Sequence, residues 1–243
     1  MTLDDQIPIQ AVGRYIKIMA YASLEPIVAV IVYLIMINSR LGTNFVKLNQ
    51  VQGIISPLLF SLFVGGFIYS AIKLYKYTDS QILLYLAIIM IPALIASDVF
   101  YYLSNKIFVE SLAANSYNGI QLARFNLVTI FNVLFFNICI AIILLIIYSS
   151  SEFRELPHAS SLKIVAVLFL VLGGINAFTN LILVLNVASV ALISFLTILL
   201  GLLDILFAVI SYLFLLTFGN DLMNASTYTY DQLPAKNEFY QGF

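Results

Sequence analysis

The sequence predicts an all-α polytopic membrane protein, a bundle of about six transmembrane helices, and two observations carry this prediction. The 243 residues are 62% hydrophobic and only 9% charged, whereas soluble domains are about half apolar and about a quarter charged. Apolar runs of about 20 residues, the length that spans a bilayer core, recur along most of the chain. We therefore expect the lipid bilayer to be the solvent of this chain.

Polar or charged residues separate the apolar runs and set the approximate ends of the spans. The predicted spans cover residues 17–37, 54–74, 82–103, 127–148, 162–183 and 188–218. They form a single transmembrane domain over 1–219, followed by a polar tail over 220–243 that is either disordered or docked on a partner. The break at 185–188 is a weak turn signal, and without it the chain would have five spans. The segment 104–124 is predicted to be either a helix at the membrane surface or a compact loop.

Basic residues near the span ends predict the orientation, because Lys and Arg accumulate on the cytoplasmic side. With the N-terminus inside, the cytoplasmic segments contain Arg14, Lys17, Lys73, Lys76, Arg154, Lys163 and Lys236, and the opposite segments contain Arg40, Lys47, Lys106 and Arg124. The excess predicts that the N- and C-termini are both cytoplasmic, in a multi-pass protein of the cell membrane.

Several function classes are excluded by composition. The net charge of −1 and the lack of a Lys/Arg cluster argue against nucleic acid as a partner. The single cysteine, Cys139, excludes an internal disulfide, and the single histidine, His158, excludes bis-histidine haem ligation. No catalytic or phosphate-binding motif is present. We predict no enzymatic activity, no metal and no cofactor.

The sixth span carries the most regular polar pattern in the chain. Small or polar residues follow one another at intervals of 3 or 4, at Ser194, Thr197, Gly201, Asp204, Ala208 and Ser211. This spacing places them on one face of a helix. In membranes such a face packs against neighbouring helices, while bulky side chains meet lipid. Asp204 is therefore predicted to point into the bundle.

Two further acids, Glu25 and Asp98, lie inside the first and third spans. An ionised carboxylate at the bilayer centre costs about 2.5–3.5 kcal/mol on insertion scales, so each acid is expected to be neutral, paired or in contact with water. Asp98 could reach Arg124, whereas no basic residue lies deep in any span. Acids without bases favour coordination of a proton or a monovalent cation, and they equally suit hydrogen bonds to polar groups on neighbouring helices.

Asparagines on the fourth and fifth spans supply such neighbours. Asn137 lies in the fourth span, and Asn176 and Asn180 lie one turn apart in the fifth. Their carboxamide oxygens are suitable ligands for a cation. The alternative is that each contributes only an interhelical hydrogen bond, worth about 0.6 kcal/mol in membranes.

A faint internal repeat relates the two halves of the chain. Gly65-Gly66 in the second span matches Gly173-Gly174 in the fifth, and Asp98 matches Asp204. A three-span repeat must be inverted, as in many transporters. Pro26 and Pro92 lie mid-span beside the acids, where they either break the helix or only kink it, and Pro57 is predicted near a helix start.

The sequence thus favours a small transporter or channel for protons, monovalent cations or a small solute. The candidate intramembrane polar site contains Asp204, Glu25, Asp98, Asn137, Asn176 and Asn180. The alternative is a non-catalytic accessory or structural subunit of a larger membrane complex, of the respiratory or secretion type. Homo-oligomers or other membrane subunits are possible partners. A membrane enzyme or lipid-handling protein acting through 104–124 is the third hypothesis.

Overall fold

The computed structural model describes residues 9–39, 44–78, 80–113, 119–154, 158–184 and 190–224, and within these ranges the chain forms α-helices and no strand. The helices are α1 (Ile9–Ala22), α2 (Glu25–Asn38), α3 (Phe45–Thr78), α4 (Gln81–Ala113), α5 (Gly119–Ser149), α6 (Ser151–Arg154), α7 (Ser160–Val184) and α8 (Val190–Asn224). In the described part, six helical units are long and apolar enough to cross a membrane, the first being α1 and α2 in series. The predicted six-span all-α bundle is confirmed, and the chain is a multi-pass membrane protein.

The outer surface of the bundle is apolar. Large hydrophobic side chains are among the most exposed in the molecule, including Leu62 at 73% and Ile198 at 66%. Such a surface is unstable in water and stable in hydrocarbon. The lipid bilayer is therefore the environment of this protein.

Several helices extend beyond the predicted span limits. α3 has 34 residues, about 51 Å at 1.5 Å per residue, against a bilayer core of about 30 Å. Most of segment 104–124 is helical, because α4 continues to Ala113 and α5 begins at Gly119, so it is not a compact loop. Pro57 lies well inside α3 rather than near its start. The predicted break at 185–188 and the tail beyond Asn224 lie outside the described residues.

The spans form a ring in chain order. Each transmembrane helix packs against the spans before and after it, and α1 closes the ring by packing against α8. A smaller contact between α3 and α5 crosses the ring. This arrangement follows from short connections, which make consecutive helices antiparallel neighbours. It also brings α2, α3, α5, α7 and α8 around one interior space.

Two glycines let α1 and α8 approach closely. A Cβ atom built on Gly13 would lie 2.7 Å from the carbonyl oxygen of Gly219, and one built on Gly219 would lie 2.9 Å from Cγ of Lys17. Only hydrogen fits at these positions. The start of α1 therefore packs against the end of α8, and both helix ends lie on the same side of the bundle.

The first span is broken at Ser23 and Leu24. α1 ends at Ala22 and α2 begins at Glu25, with Pro26 in its first turn. Because proline has no backbone N–H, Pro26 cannot donate to Ala22 and the helical ladder is interrupted. The Ser23 hydroxyl donates to the Ala20 carbonyl at 2.7 Å. Pro92 shows the contrast, because α4 runs through it as one helix.

The connection after α6 is tied to the end of α8. His158 adopts a positive φ of 58°, and its Nδ1 lies 2.6 Å from Oδ2 of Asp221. The start of α7 is thereby held beside the last turn of α8. This contact lies on the same side of the bundle as the start of α1, as six crossings require.

The predicted inverted repeat stays a prediction. Gly66 packs on Ala22 of the preceding span, and Gly173 packs on Asn137 of the preceding span. The first span is nevertheless broken, whereas its counterpart α5 is continuous.

Candidate functional site

A cavity of about 390 Å³ lies between α2, α3, α5, α7 and α8. Its polar lining includes Glu25 near the middle of the first span and Asp204 near the middle of α8. Hydrocarbon side chains from all five helices make up most of the remaining wall. The polar groups of the cavity are thus placed far from both membrane surfaces.

Glu25 is the first residue of α2. A helix N-terminus carries a partial positive charge that favours a carboxyl group. Here Pro26 has no N–H, and the N–H groups of Ile27 and Val28 are paired with the Leu24 carbonyl. The Glu25 side chain lines the cavity and lies close enough to Asp204 to interact with it electrostatically. Within the described residues the Glu25 carboxyl has no hydrogen-bond partner, so it is available to a ligand in the cavity.

Asp204 is held by a side chain on the neighbouring helix. Nδ2 of Asn176 donates to Oδ1 of Asp204 at 3.1 Å, joining α7 to α8. Asn176 also lines the cavity. Asn180 does not line it, because its Nδ2 donates to the backbone carbonyl of Asn176 at 2.9 Å. The two asparagines share a helix face, as their spacing predicts, but only Asn176 reaches the carboxyl group.

Asn137 places a carboxamide group on the α5 wall of the cavity. It is only 9% exposed, and it packs against Gly173, where a Cβ atom would lie 3.1 Å from Asn137 Cβ. In the described part of the chain its side chain makes no hydrogen bond. Its polar atoms are not sealed off in the protein interior, so the Asn137 carboxamide is a polar group that the cavity can reach.

The predicted stripe of α8 lines the same cavity wherever its side chains are described. Gly201, Ala208 and Ser211 lie on the wall with Asp204. No atom comes within 4 Å of a Cβ atom built on Gly201, so this part of the stripe borders space rather than a packed helix. The side chains of Ser194 and Thr197 lie outside the described part.

Asp98 is not part of the cavity. It is partly exposed on α4 and accepts a hydrogen bond from the Ser61 hydroxyl of α3. The side chain of Arg124, its predicted partner, lies outside the described residues. The structure therefore brings together Glu25, Asp204 and two asparagines and leaves Asp98 apart.

Sequence reasoning did not identify the aromatic part of the wall. Phe60 and Phe63 of α3, Phe169 of α7 and Phe207 of α8 line the cavity. A signal existed for Phe169, because it is seven residues before Asn176 and therefore lies on the same helix face. No comparable signal exists for Phe60 and Phe63, since the second span has no cavity-lining polar residue to mark its inner face.

Among the described residues, Glu25 and Asp204 are the titratable groups of the cavity wall, and none of the described lining residues is Lys, Arg or His. Two nearby carboxyl groups in a low-dielectric site cannot both be ionised at low cost unless a positive charge joins them. Among the described residues no three His, Cys, Asp or Glu side chains converge. The arrangement is therefore suited to holding one or two single positive charges.

No protein family, curated protein or solved structure matches this chain. Its cavity is interpreted from its own geometry.

Proposed function

We propose that the protein is a small, non-catalytic transporter or channel that carries positive charge through the cavity between α2 and α8. Protons or monovalent cations are the cargo, and Glu25 and Asp204 are the groups that bind it. The observation that carries this proposal is the pair of mid-membrane carboxyl groups in one cavity, with no Lys, Arg or His among the described residues of its wall.

The energetic argument rests on desolvation. A carboxylate inside a membrane is costly unless a proton or a cation neutralises it. Each carboxyl group therefore binds or releases one single positive charge at a time. A carboxyl pair that water can reach from either side would therefore load and release cations. Fixed pairing with a basic side chain of the protein would abolish this property, and the described part of the cavity wall has no such side chain.

The break in the first span supports the same function. Discontinuous helices whose half-helix ends face the substrate are typical of transporter sites at the bilayer midplane. Here the break at Ser23 and Leu24 places Glu25 at such an end.

The first prediction concerns ion flux through the purified full-length protein in lipid vesicles. We expect Asp204→Asn to abolish carboxyl-dependent movement of protons, Na⁺ or K⁺ driven by an imposed membrane potential. A pH-sensitive dye in the vesicle lumen measures proton movement, and isotopic Na⁺ and an isotopic K⁺ analogue measure cation movement. Asp204→Asn preserves side-chain size and removes only the titratable charge.

Asp98→Asn is the matched control, because it makes the same change at mid-helix outside the cavity. It is expected to retain wild-type flux. Equal flux in Asp204→Asn and wild type would contradict the proposed function.

The accessory-subunit role remains the second candidate, and the position of Asp98 favours it. This carboxyl group is partly exposed near the middle of α4, beside the lipid-facing Ile95 and Val99. A basic residue of another membrane subunit would neutralise it there. A stable larger complex after gentle extraction, together with no flux from the isolated chain, would favour this role over transport.

A further inference from the structure

We infer that the cavity binds a lipophilic organic cation, an amine or quaternary ammonium ion that carries apolar groups, in exchange for protons. This inference rests on the proposed function and names the class of cargo. It follows from the size of the cavity, its aromatic wall, an unpartnered carboxamide and the position of its two carboxyl groups.

The cavity is far larger than a bare metal ion needs. Its volume is about 390 Å³, whereas one water molecule occupies about 30 Å³ in the liquid. Pockets for small organic ligands cover about 300–1,000 Å³ and are mostly apolar with a few polar groups. A dehydrated Na⁺ or K⁺ ion would leave most of the apolar wall without contacts, whereas an organic cation would cover it.

Aromatic rings line this cavity from three helices. Phe60, Phe63, Phe169 and Phe207 are on its wall. The Phe63 and Phe169 rings lie 6.1 Å apart at 36°. Ring faces attract ammonium groups, most strongly when water is excluded.

Neighbouring rings fix the orientation of this wall. Phe67 packs edge-on against Phe169 at 5.7 Å, and Phe136 packs edge-on against Phe60 at 5.3 Å. Phe67 and Phe136 are fully buried and do not line the cavity. The aromatic wall is therefore preorganised, which reduces the entropy lost when a ligand binds.

Asn137 gives an independent sign of a ligand. It lines the cavity, is 9% exposed and makes no hydrogen bond within the described residues. Its polar atoms are accessible from the cavity, so a ligand or its accompanying water can form hydrogen bonds with them. An amine N–H can donate to the carboxamide oxygen, so primary to tertiary amines gain a contact that a quaternary ammonium ion lacks.

The proton coupling follows from which groups titrate. Glu25 comes from α2 and Asp204 from α8, while the described residues that α3, α5 and α7 contribute to the wall are non-titratable. The organic cation and the proton therefore use the same two carboxyl groups. When both carboxyl groups are protonated beforehand, a cation can be neutralised only if one of them releases its proton.

The test uses the detergent-solubilised full chain and the probe benzyltrimethylammonium, with binding followed by calorimetry at acidic and alkaline pH. We expect saturable binding that is at least tenfold weaker at acidic pH, accompanied by proton release measured from its dependence on the buffer. Neopentylbenzene, which replaces the ammonium nitrogen by carbon, is the neutral competitor and is expected not to displace the probe.

Substitutions separate the charge from the aromatic contribution. Glu25→Gln and Asp204→Asn are each expected to abolish binding, and Asp98→Asn is expected to retain it. Phe169→Leu is expected to weaken binding roughly tenfold through loss of the cation–π contact. Size-exclusion profiles matching wild type establish that each variant is folded.

Absence of saturable binding to wild type would overturn the inference, as would binding that both carboxyl variants retain. Flux measurements in vesicles distinguish failure of the organic-cation inference from failure of the proposed transport function. Proton, Na⁺ or K⁺ flux that depends on Asp204 without probe binding would remove the organic cation and leave the transporter. Probe binding without any flux would support the cation site and contradict transport.

Discussion

Asp98 and Asp204 show how the neighbouring helix decides what a mid-membrane carboxyl group can do. Asp204 receives the carboxamide of Asn176 and faces a cavity. Asp98 receives the hydroxyl of Ser61 and is partly exposed on the outside of the bundle. The first arrangement leaves the carboxyl group accessible to a ligand inside the protein, and the second leaves it beside lipid.

The sequence was sufficient to identify the intramembrane acids, but it did not show which of them faces the cavity and which faces outward. Both aspartates lie in an apolar helix, and their difference depends on which way each helix is rotated. The stripe around Asp204 did indicate rotation, because its 3 and 4 spacing marks one face. Asp98 has no comparable stripe, so its place outside the cavity was not predictable from local sequence.

At this scale the second prediction concerns the Asn176 carboxamide. Asn176→Ala removes the donor to Asp204, and a hydrogen bond to a charged group is worth about 1.5–3 kcal/mol. We expect about a tenfold or greater loss of cation affinity or flux. Vesicle flux with a cation titration measures it.

Asn180→Ala is the control, one turn away on the same helix. Its amide donates to a backbone carbonyl of its own helix, so its loss is expected to leave flux unchanged. Identical cation affinity in Asn176→Ala and wild type would show that the contact with Asp204 plays no part in binding.

The elements of the first span differ in how firmly they are packed. α1 contacts α3 and α8 extensively, and its residues Val12, Ile16 and Met19 are fully buried. In α2, by contrast, Met36 is the buried residue and most side chains face outward. Each half of the span therefore behaves as a separate element, which the hydropathy of a single apolar run could not reveal.

The close contacts between helices could not be predicted from the sequence of a single helix either. The sequence drew attention to Gly65-Gly66 and Gly173-Gly174 because they are paired. Gly65 and Gly174 have no atom within 4 Å of a built Cβ, whereas the isolated Gly13 and Gly219 face each other across α1 and α8. Whether a glycine matters depends on what lies opposite it, and that is a property of the assembled bundle.

The third prediction follows from this crossing. Gly13→Ala would place Cβ 2.7 Å from the Gly219 carbonyl oxygen, so the two backbones must separate. Overpacking of this kind costs about 1–3 kcal/mol. We expect a lower melting temperature for the detergent-solubilised protein, measured by the fraction that remains monodisperse after heating.

Gly174→Ala is the matched substitution at an exposed glycine with free space around it. It is expected to melt at or slightly above the wild-type temperature, because alanine favours a helix over glycine by about 1 kcal/mol. If Gly13→Ala were as stable as Gly174→Ala, the close crossing of α1 and α8 would be incorrect.

For the molecule as a whole, hydropathy was sufficient to predict the fold class and the number of spans, because hydrocarbon allows a spanning chain few alternatives to helices. The ring order then follows from short connections. The interior could be predicted only in part, since Glu25, Asn137, Asn176 and Asp204 stand out by residue type while the phenylalanines around them resemble those that face lipid. Phenylalanines that line the cavity and phenylalanines that face lipid have the same chemistry and differ only in position.

The two faces of the bundle carry different numbers of basic residues. Six described basic residues lie on the face that holds the start of α1 and two lie on the other: Arg14, Lys17, Lys73, Lys76, Arg154 and Lys163 against Lys47 and Lys106. This excess of basic residues favours the predicted orientation, in which both chain ends are cytoplasmic.

The fourth prediction tests that orientation by chemical labelling. With the buried Cys139 replaced by alanine, single cysteines are introduced as Lys76→Cys and Lys106→Cys. A membrane-impermeant maleimide added to intact cells is expected to label Lys106→Cys and to leave Lys76→Cys unmodified until the membrane is opened. The reverse pattern would place both chain ends outside.

The broken first span fixes the depth of its acid by length alone. α1 and α2 have 14 residues each, about 21 Å at 1.5 Å per residue, so neither piece covers the roughly 30 Å of hydrocarbon. Two short helices joined end to end across the membrane must therefore meet inside the hydrocarbon core, between the two lipid headgroup layers, whatever their tilt. Glu25 lies at this junction. It cannot reach either membrane surface while the outer ends of α1 and α2 stay at the two surfaces.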